Sequence, residues 1–133
     1  MENAKQNVKV LIVEDDVMLN KIYQTKLGIV GYKVFAAYDG EEGIKKMEET
    51  LPNIVLLDLM LPKKNGFEVL ETVKQNIKLN HIPVIILSNL GQGDDIERGK
   101  ALGADDYLVK PLILEYLENT VLNKLRTLNI LIA

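Results

Sequence analysis

At 133 residues, with 47% apolar, 26% charged and 5% aromatic side chains, the chain has the size of one ordinary domain whose core must be mostly Val, Ile and Leu. A net charge of −3 argues against direct nucleic-acid binding or an anionic membrane as the main partner, because both demand a basic face. The lack of cysteine excludes disulfides, thiolate metal sites and cysteine nucleophiles, and it fits a reducing cytosol. The opening Met1-Glu2-Asn3-Ala4-Lys5-Gln6 is polar and starts no signal peptide. Apolar runs such as 54–57 and 84–87 are far too short to span a bilayer, so the expectation is a soluble, cytoplasmic protein with no membrane partner.

In chain order, residues 8–13 read as a strand, and an amphipathic helix over 17–30 stops at Gly31, a good residue just past a helix end. A second strand over 33–38 turns at Asp39-Gly40 into a helix that runs to 50, where Leu51-Pro52 ends it. Strand 53–57 precedes a helix over 67–78, strand 83–87 precedes one over 94–102 closed by Gly103, and strand 106–109 precedes one over 112–128. This last helix carries Leu114, Leu117, Val121, Leu125 and Leu128 at spacings of three and four, a stripe facing the core. The first, third and fourth strands are nearly continuous Val, Ile and Leu, as parallel strands covered on both faces should be, whereas the more polar second and the short fifth suit the edges. Five βα units with right-handed crossovers predict an α/β fold: a flavodoxin-like, doubly wound, five-stranded parallel sheet in the order 2-1-3-4-5, with helices on both faces. No linker or low-complexity tract divides it, so the expectation is one domain over 1–133 with a core over 8–128.

In such a sheet, ligands sit beyond the carboxyl ends of the strands. Glu14, Asp15 and Asp16 follow the first strand, Asp58 the third, Ser88 the fourth, and Lys110-Pro111 the fifth. At roughly 4.8 Å per strand, Asp15, Asp58 and Ser88 fall side by side, and the long Lys110 side chain covers most of the two spacings from Asp58. Clustered carboxylates repel: two unit charges about 4 Å apart cost about 4 kcal/mol at an effective dielectric near 20. A hard divalent cation removes that penalty, and all-oxygen ligands with room for water and phosphate favour Mg²⁺. Asp58 could then attack phosphorus as a carboxylate nucleophile, with Lys110, Ser88 and the metal stabilising charge on the transferring oxygens.

With these residues the chain resembles a response-regulator receiver domain of two-component signal transduction, of the chemotaxis-regulator-like type, over essentially its whole length. The resemblance rests on Val13-Glu14-Asp15-Asp16, Asp58-Leu59-Met60-Leu61-Pro62 with Gly66 following, Ser88, and Tyr107-Leu108-Val109-Lys110-Pro111. It also rests on the thirty residues from Asp58 to Ser88 and the fifty-two from Asp58 to Lys110. It implies a signalling domain, not an enzyme acting on other molecules, in which Asp58 accepts a phosphoryl group from a sensor histidine kinase or phosphotransfer protein. Asp15 would ligate Mg²⁺ directly, Glu14 through water, and Met60 through its backbone carbonyl; Ser88 and Tyr107 would form the coupled switch; Lys110-Pro111 would be cis.

There are departures from the family pattern. Ser88 stands for the commoner Thr, and Asn89 is bulkier than the usual small neighbour. Thr120 occupies the position where relatives that dimerise through the fourth helix, fifth strand and fifth helix carry an arginine, which counts against that mode and leaves a phosphorylation-dependent homodimer open. Met60 and Leu90 are apolar and cannot hydrogen-bond an attacking water, which favours a long-lived phosphoryl group.

Taken singly, each of these residues has an ordinary reading: loop acids, a helix cap for Asp16, a turn residue for Asp58, a surface lysine, an edge-strand tyrosine. Their conjunction at four strand ends carries the argument. His81 reads as a solvent-exposed bystander. The apolar 128–133 is either the last helix running on, a stub of a longer chain, or a dimer contact, and the downstream target and any output domain are not readable.

A haloacid-dehalogenase-type phosphohydrolase needs a second Asp where Met60 stands. A flavodoxin-like cofactor site needs a Ser/Thr/Gly-rich loop where Glu14-Asp15-Asp16 stands, and no dinucleotide or P-loop motif occurs.

Overall fold

The computed structural model describes residues 5, 7–89, 93–110 and 114–128. The predicted cis Lys110-Pro111 bond, Leu90 and the tail past Leu128 lie outside them. The apolar runs form β1 (Lys9–Val13), β2 (Lys33–Ala37), β3 (Ile54–Asp58), β4 (Val84–Asn89) and β5 (Asp106–Lys110). The helices are α1 (Val17–Ile29), α2 (Gly40–Thr50), α3 (Gly66–Gln75), α4 (Gly93–Ala101) and α5 (Leu114–Thr127). All strand pairs are parallel, in the order β2-β1-β3-β4-β5. The second and fifth strands are the edges, as predicted, although β5 runs one residue past the predicted 109 and is as long as β1, β2 and β3.

Alternation along the strands explains why the central ones are apolar on both faces over 10–13, 54–57 and 84–87. Leu11, Val13, Val55, Leu57, Val84 and Ile86 face one layer, packed with Met47 of α2 and Phe67, Val69, Leu70 and Val73 of α3. Val10, Ile12, Ile54, Leu56, Ile85 and Leu87 face the other, against Tyr23 and Leu27 of α1 and Leu117, Val121 and Leu125 of α5. With both faces covered, no position on these strands can be polar without losing its solvation. Among the described residues, no helix is long and apolar enough to cross a membrane.

The helix ends follow local chemistry. Asp16, Asp39 and Asn65 cap α1, α2 and α3, each accepting a backbone N–H of the first turn, and Asn65 with Glu68 completes a capping box. α1 closes with Gly31 at φ +114°, as predicted. α3 ends three residues before the predicted 78. Asn76 is extended at ψ 117°, its carbonyl takes the N–H groups of Leu79 and Asn80, and Leu79 and Ile82 turn back into the core. The predicted stripe of α5 holds at Leu117, Val121 and Leu125, while Leu128 is 43% exposed.

The β3–α3 connection returns directly over the end of β3. The Gly66 N–H donates to the Leu59 carbonyl at 2.9 Å, and a Cβ on Gly66 would lie 2.5 Å from both the Asp58 carbonyl oxygen and the Leu59 Cα. Any side chain there must push the end of β3 away. Gly66→Ala is therefore expected to lower stability by about 1–3 kcal/mol, read from the urea midpoint. Gly28→Ala, whose added Cβ meets nothing within 4 Å, should raise it by up to about 1 kcal/mol. Equal midpoints for Gly66→Ala and the parent would show that the backbone approach is loose.

Candidate functional site

The strand register brings the predicted residues together. Val13 lies opposite Leu57, so Glu14 comes level with Asp58; Asp58 lies opposite Leu87, and Ser88 and Asn89 lie opposite Val109 and Lys110. Glu14 and Asp58 are buried, at 1% and 4% exposure, while Asp15 is open to solvent. Oxygens of the three carboxylates lie within 4.8 Å of one another. Lys110 reaches across from the edge strand: its Nζ donates to Asp58 Oδ2 at 2.7 Å and forms an ion pair with Glu14 Oε1 at 2.5 Å. The other Asp58 oxygen accepts the Met60 N–H at 3.0 Å, and Glu14 Oε2 accepts the Asp16 N–H at 3.1 Å.

The electrostatics are those of crowded acids beside a single cation. Burial pushes the Glu14 carboxyl up to about 7, and the neighbouring Asp58 carboxylate adds to this, while Lys110 and the Asp16 amide pull the other way. For Lys110, burial acts downward, but Asp58 and Glu14 outweigh it and hold the ammonium above its ordinary value. Glu14 Oε1 is buried with Lys110 as its close ion-pair partner and with no hydrogen bond of good geometry. Such an oxygen, in an all-carboxylate donor set with one open member, fits a hard divalent cation better than any thiolate- or imidazole-binding metal.

Ser88 is buried one strand over from Asp58, its hydroxyl donating to the Asn89 carbonyl at 3.3 Å. Tyr107 is 37% exposed on β5, and Met60 is exposed at the rim. A cavity of about 440 Å³ opens beside the acids, lined among others by Asp15, Met60, Phe67 and Arg98; the Arg98 guanidinium stacks 4.1 Å over the Phe67 ring. His81 is exposed at the opposite end of the sheet from the acids, in the loop before β4.

Asn20 belongs to none of the sequence motifs, yet it supports the site. It is fully buried in α1, and its Nδ2 donates to the carbonyls of Glu14 (3.0 Å), Ala37 (3.1 Å) and Ile12 (3.4 Å). It thereby ties α1 to the ends of β1 and β2, just where the acids begin. The signal was available: Asn20 shares the buried face of α1 with Tyr23 and Leu27, and a polar residue on an apolar stripe needs partners.

Residues 10–122 match the family model of the response regulator receiver domain. The "probable transcriptional regulator ycf27" of Guillardia theta is 40% identical over 121 residues, covering 91% of this chain and 46% of that one. Protein PilG of Pseudomonas aeruginosa is 33% identical over 88% of this chain and 87% of its own. The chemotaxis response regulator CheY4 of Vibrio cholerae superposes with a TM-score of 0.82 at 29% identity, covering 87% of this chain and 97% of that one. The receiver domain of Francisella response regulator 1452 gives 0.81 at 30%, covering 88% and 95%. The chain spans about half the length of the ycf27 regulators that it matches. Its five-stranded parallel sheet, its acids at the carboxyl ends of β1 and β3, and the match over 10–122 make it a member of the response regulator receiver family.

Proposed function

We propose that this receiver domain accepts a phosphoryl group on Asp58, with Mg²⁺ bound by the acidic cluster, from a sensor histidine kinase or phosphotransfer protein. The observation that carries this reading is the buried Asp58 carboxylate held 2.7 Å from the Lys110 ammonium, beside Glu14 and Asp15. In the transfer, an Asp58 oxygen forms a bond to phosphorus as the phosphorus–nitrogen bond of the donor histidine breaks, its electron pair returning to the imidazole. Lys110 meets the phosphoryl oxygens, and Ser88 offers them its hydroxyl. Asp15, Asp58, the Met60 carbonyl and, through water, Glu14 would hold the metal, which supplies neutralising positive charge to the transferring oxygens. The domain, with its core over 8–128, changes only its own phosphorylation state and works in the cytoplasm. Ser88 and Tyr107 pass the event to a downstream protein.

The donor's docking face is supported by α1. Val17, Met18, Ile22 and Ile29 are exposed around a shallow apolar cavity of about 670 Å³ that begins one turn from Asp15 and is rimmed by Lys21. An amphipathic helix with acidic flanks on the donor would complement it.

Incubation with acetyl phosphate and Mg²⁺ should add one phosphoryl group by intact mass. The addition should be absent with EDTA and absent in Asp58→Asn. Full labelling of Asp58→Asn would overturn the assignment.

The metal reading has a pH signature. Glu14 holds its proton up to about pH 7 when folded, against 4.5 for the ordinary group, so within that window the folded state binds more protons than the unfolded chain. Its contribution to stability is full below pH 4.5 and lost as pH rises through about 7. In EDTA, the urea midpoint should therefore fall more between about pH 5 and about pH 8 in the parent than in Glu14→Gln. Mg²⁺ should raise the midpoint most at the upper end, where Glu14 is ionised, and Asp15→Asn should remove most of that rise. A full Mg²⁺ response in Asp15→Asn would exclude Asp15 as ligand.

Lys110 and Ser88 should separate kinetically. Lys110→Ala should slow phosphotransfer by at least about tenfold, the scale of a lost charge-assisted contact. Ser88→Ala should still be phosphorylated but respond less at Tyr107 to beryllofluoride, followed by NMR. Equal Tyr107 shifts in Ser88→Ala and the parent would remove Ser88 from the switch.

A further inference from the structure

Tyr107 is the aromatic side chain on the edge strand β5, and what holds it decides what a switch must overcome. It lies opposite Ile86 in the parallel register, so it points to the layer occupied by Ile86 and α4, whereas its neighbour Leu108 packs in the layer of α1 and α5. There the Lys100 ammonium sits 4.8 Å above the centre of the Tyr107 ring. An ammonium over a phenol face is attracted by the ring's quadrupole, and the attraction vanishes if the ring rotates away.

Lys100 is well placed to act as a fixed stop. Its neighbour Gly99 is buried against β4 so closely that a Cβ would lie 2.5 Å from Ile86 Cδ1. The Lys100 carbonyl accepts the Gly103 N–H and the Gly99 carbonyl accepts the Ala104 N–H, both at 3.0 Å, with Gly103 at φ +108°. This closing motif needs a glycine at that left-handed position, and it locks the last turn of α4 to the loop that leads into β5. The last turn of α4 is thus held against β4 at Gly99 and tied to the loop that precedes β5, and the Lys100 side chain lies over the Tyr107 ring, which is partly open to solvent.

We propose that Lys100 is a positioning residue for the switch: its ammonium holds the Tyr107 ring in the outward position, so that loss of the Lys100 charge moves the ring toward the phosphorylated arrangement without phosphorylation. The proposal deepens the reading of Ser88 and Tyr107 as the switch and rests on it. A cation–π contact at an exposed site biases the ring equilibrium about two- to fivefold, enough to set sensitivity without locking the switch.

The test is NMR of the Tyr107 ring, assigned with Tyr107→Phe, in the parent, Lys100→Gln and Lys100→Arg, each free and with Mg²⁺ and beryllofluoride. In the parent, beryllofluoride defines the line from the free ring position to the bound one. Free Lys100→Gln should lie part-way along that line, by about a two- to fivefold change in the ratio of the two positions. Lys100→Arg, which keeps a cation over the ring, should stay with the free parent. The half-saturating beryllofluoride concentration should fall in Lys100→Gln and not in Lys100→Arg. If free Lys100→Gln superposes on the free parent, or departs from the line, the proposal is overturned. If the parent ring does not respond to beryllofluoride at all, it is the switch role of Tyr107 that fails, an outcome read separately from any Lys100 effect.

Discussion

Two carboxylates buried at the end of an apolar sheet, with one ammonium between them, are the constraint on which the rest depends. Glu14 and Asp58 stand at 1% and 4% exposure on adjacent strands, and Lys110 is drawn over from the edge strand to both. A buried charge without a partner costs several kcal/mol, and removing one member of a paired set typically costs about 3–5 kcal/mol. Lys110 cannot leave without cost, and burial beside Asp58 makes the ionised form of Glu14 expensive, so that Glu14 keeps its proton up to about pH 7. The fold tolerates the arrangement because its apolar core is complete elsewhere: both layers are filled by Val, Ile, Leu and a few aromatics on every central strand.

The same strand order explains why the constraint lies where it does. A parallel sheet puts every carboxyl end on one edge, and the order β2-β1-β3-β4-β5 makes neighbours of the strands that end in Glu14, Asp58, Ser88 and Lys110. The supporting shell is steric and polar. Gly66 lets α3 begin against the backbone of Asp58 and Leu59, and Asn20 bonds the carbonyl of Glu14 from inside α1. Neither touches the carboxylate oxygens, yet both limit how far the acids can spread to relieve their repulsion.

Most of this was legible in the chain because it rests on patterns of period two and of three to four. Strands covered on both faces must be apolar where they are covered, and the central three are over 10–13, 54–57 and 84–87; a helix start needs an acceptor side chain, and Asp16 supplies one. The site residues were legible because chemistry at strand ends is addressed by topology. What escaped rests on contacts remote in sequence or on local turns. The early end of α3 is decided by Asn76 bonding to Lys78, Leu79 and Asn80, where helical periodicity alone carries on. Leu128 keeps its place in the α5 stripe by spacing but runs past the sheet it would have packed on, and lies instead by Leu51 and His81. The Lys110 bridge to Glu14, as opposed to Asp58 alone, depends on the register of β1 against β3, which sets Glu14 level with Asp58 and which no spacing within either strand contains.

Charge balance then links the acids to the edge strand. Three carboxylates and one ammonium leave the cluster with two net negative charges when all are ionised, which a divalent cation would cancel. Phosphorylation of an aspartate would restore a negative charge and add strong acceptor oxygens in the same space. Of the groups at this edge, the acids are held by β1 and β3 at the centre of the sheet, whereas Lys110 and the hydroxyl of Ser88 belong to β5 and β4. A response to new charge would therefore fall on the strands nearest the open edge. Lys110 lies three residues from Tyr107 on β5, a strand with one neighbour instead of two. A strand paired on one side only can shift with fewer broken ladder bonds than any interior strand, so the edge is where a local change of charge is most cheaply turned into a change of surface.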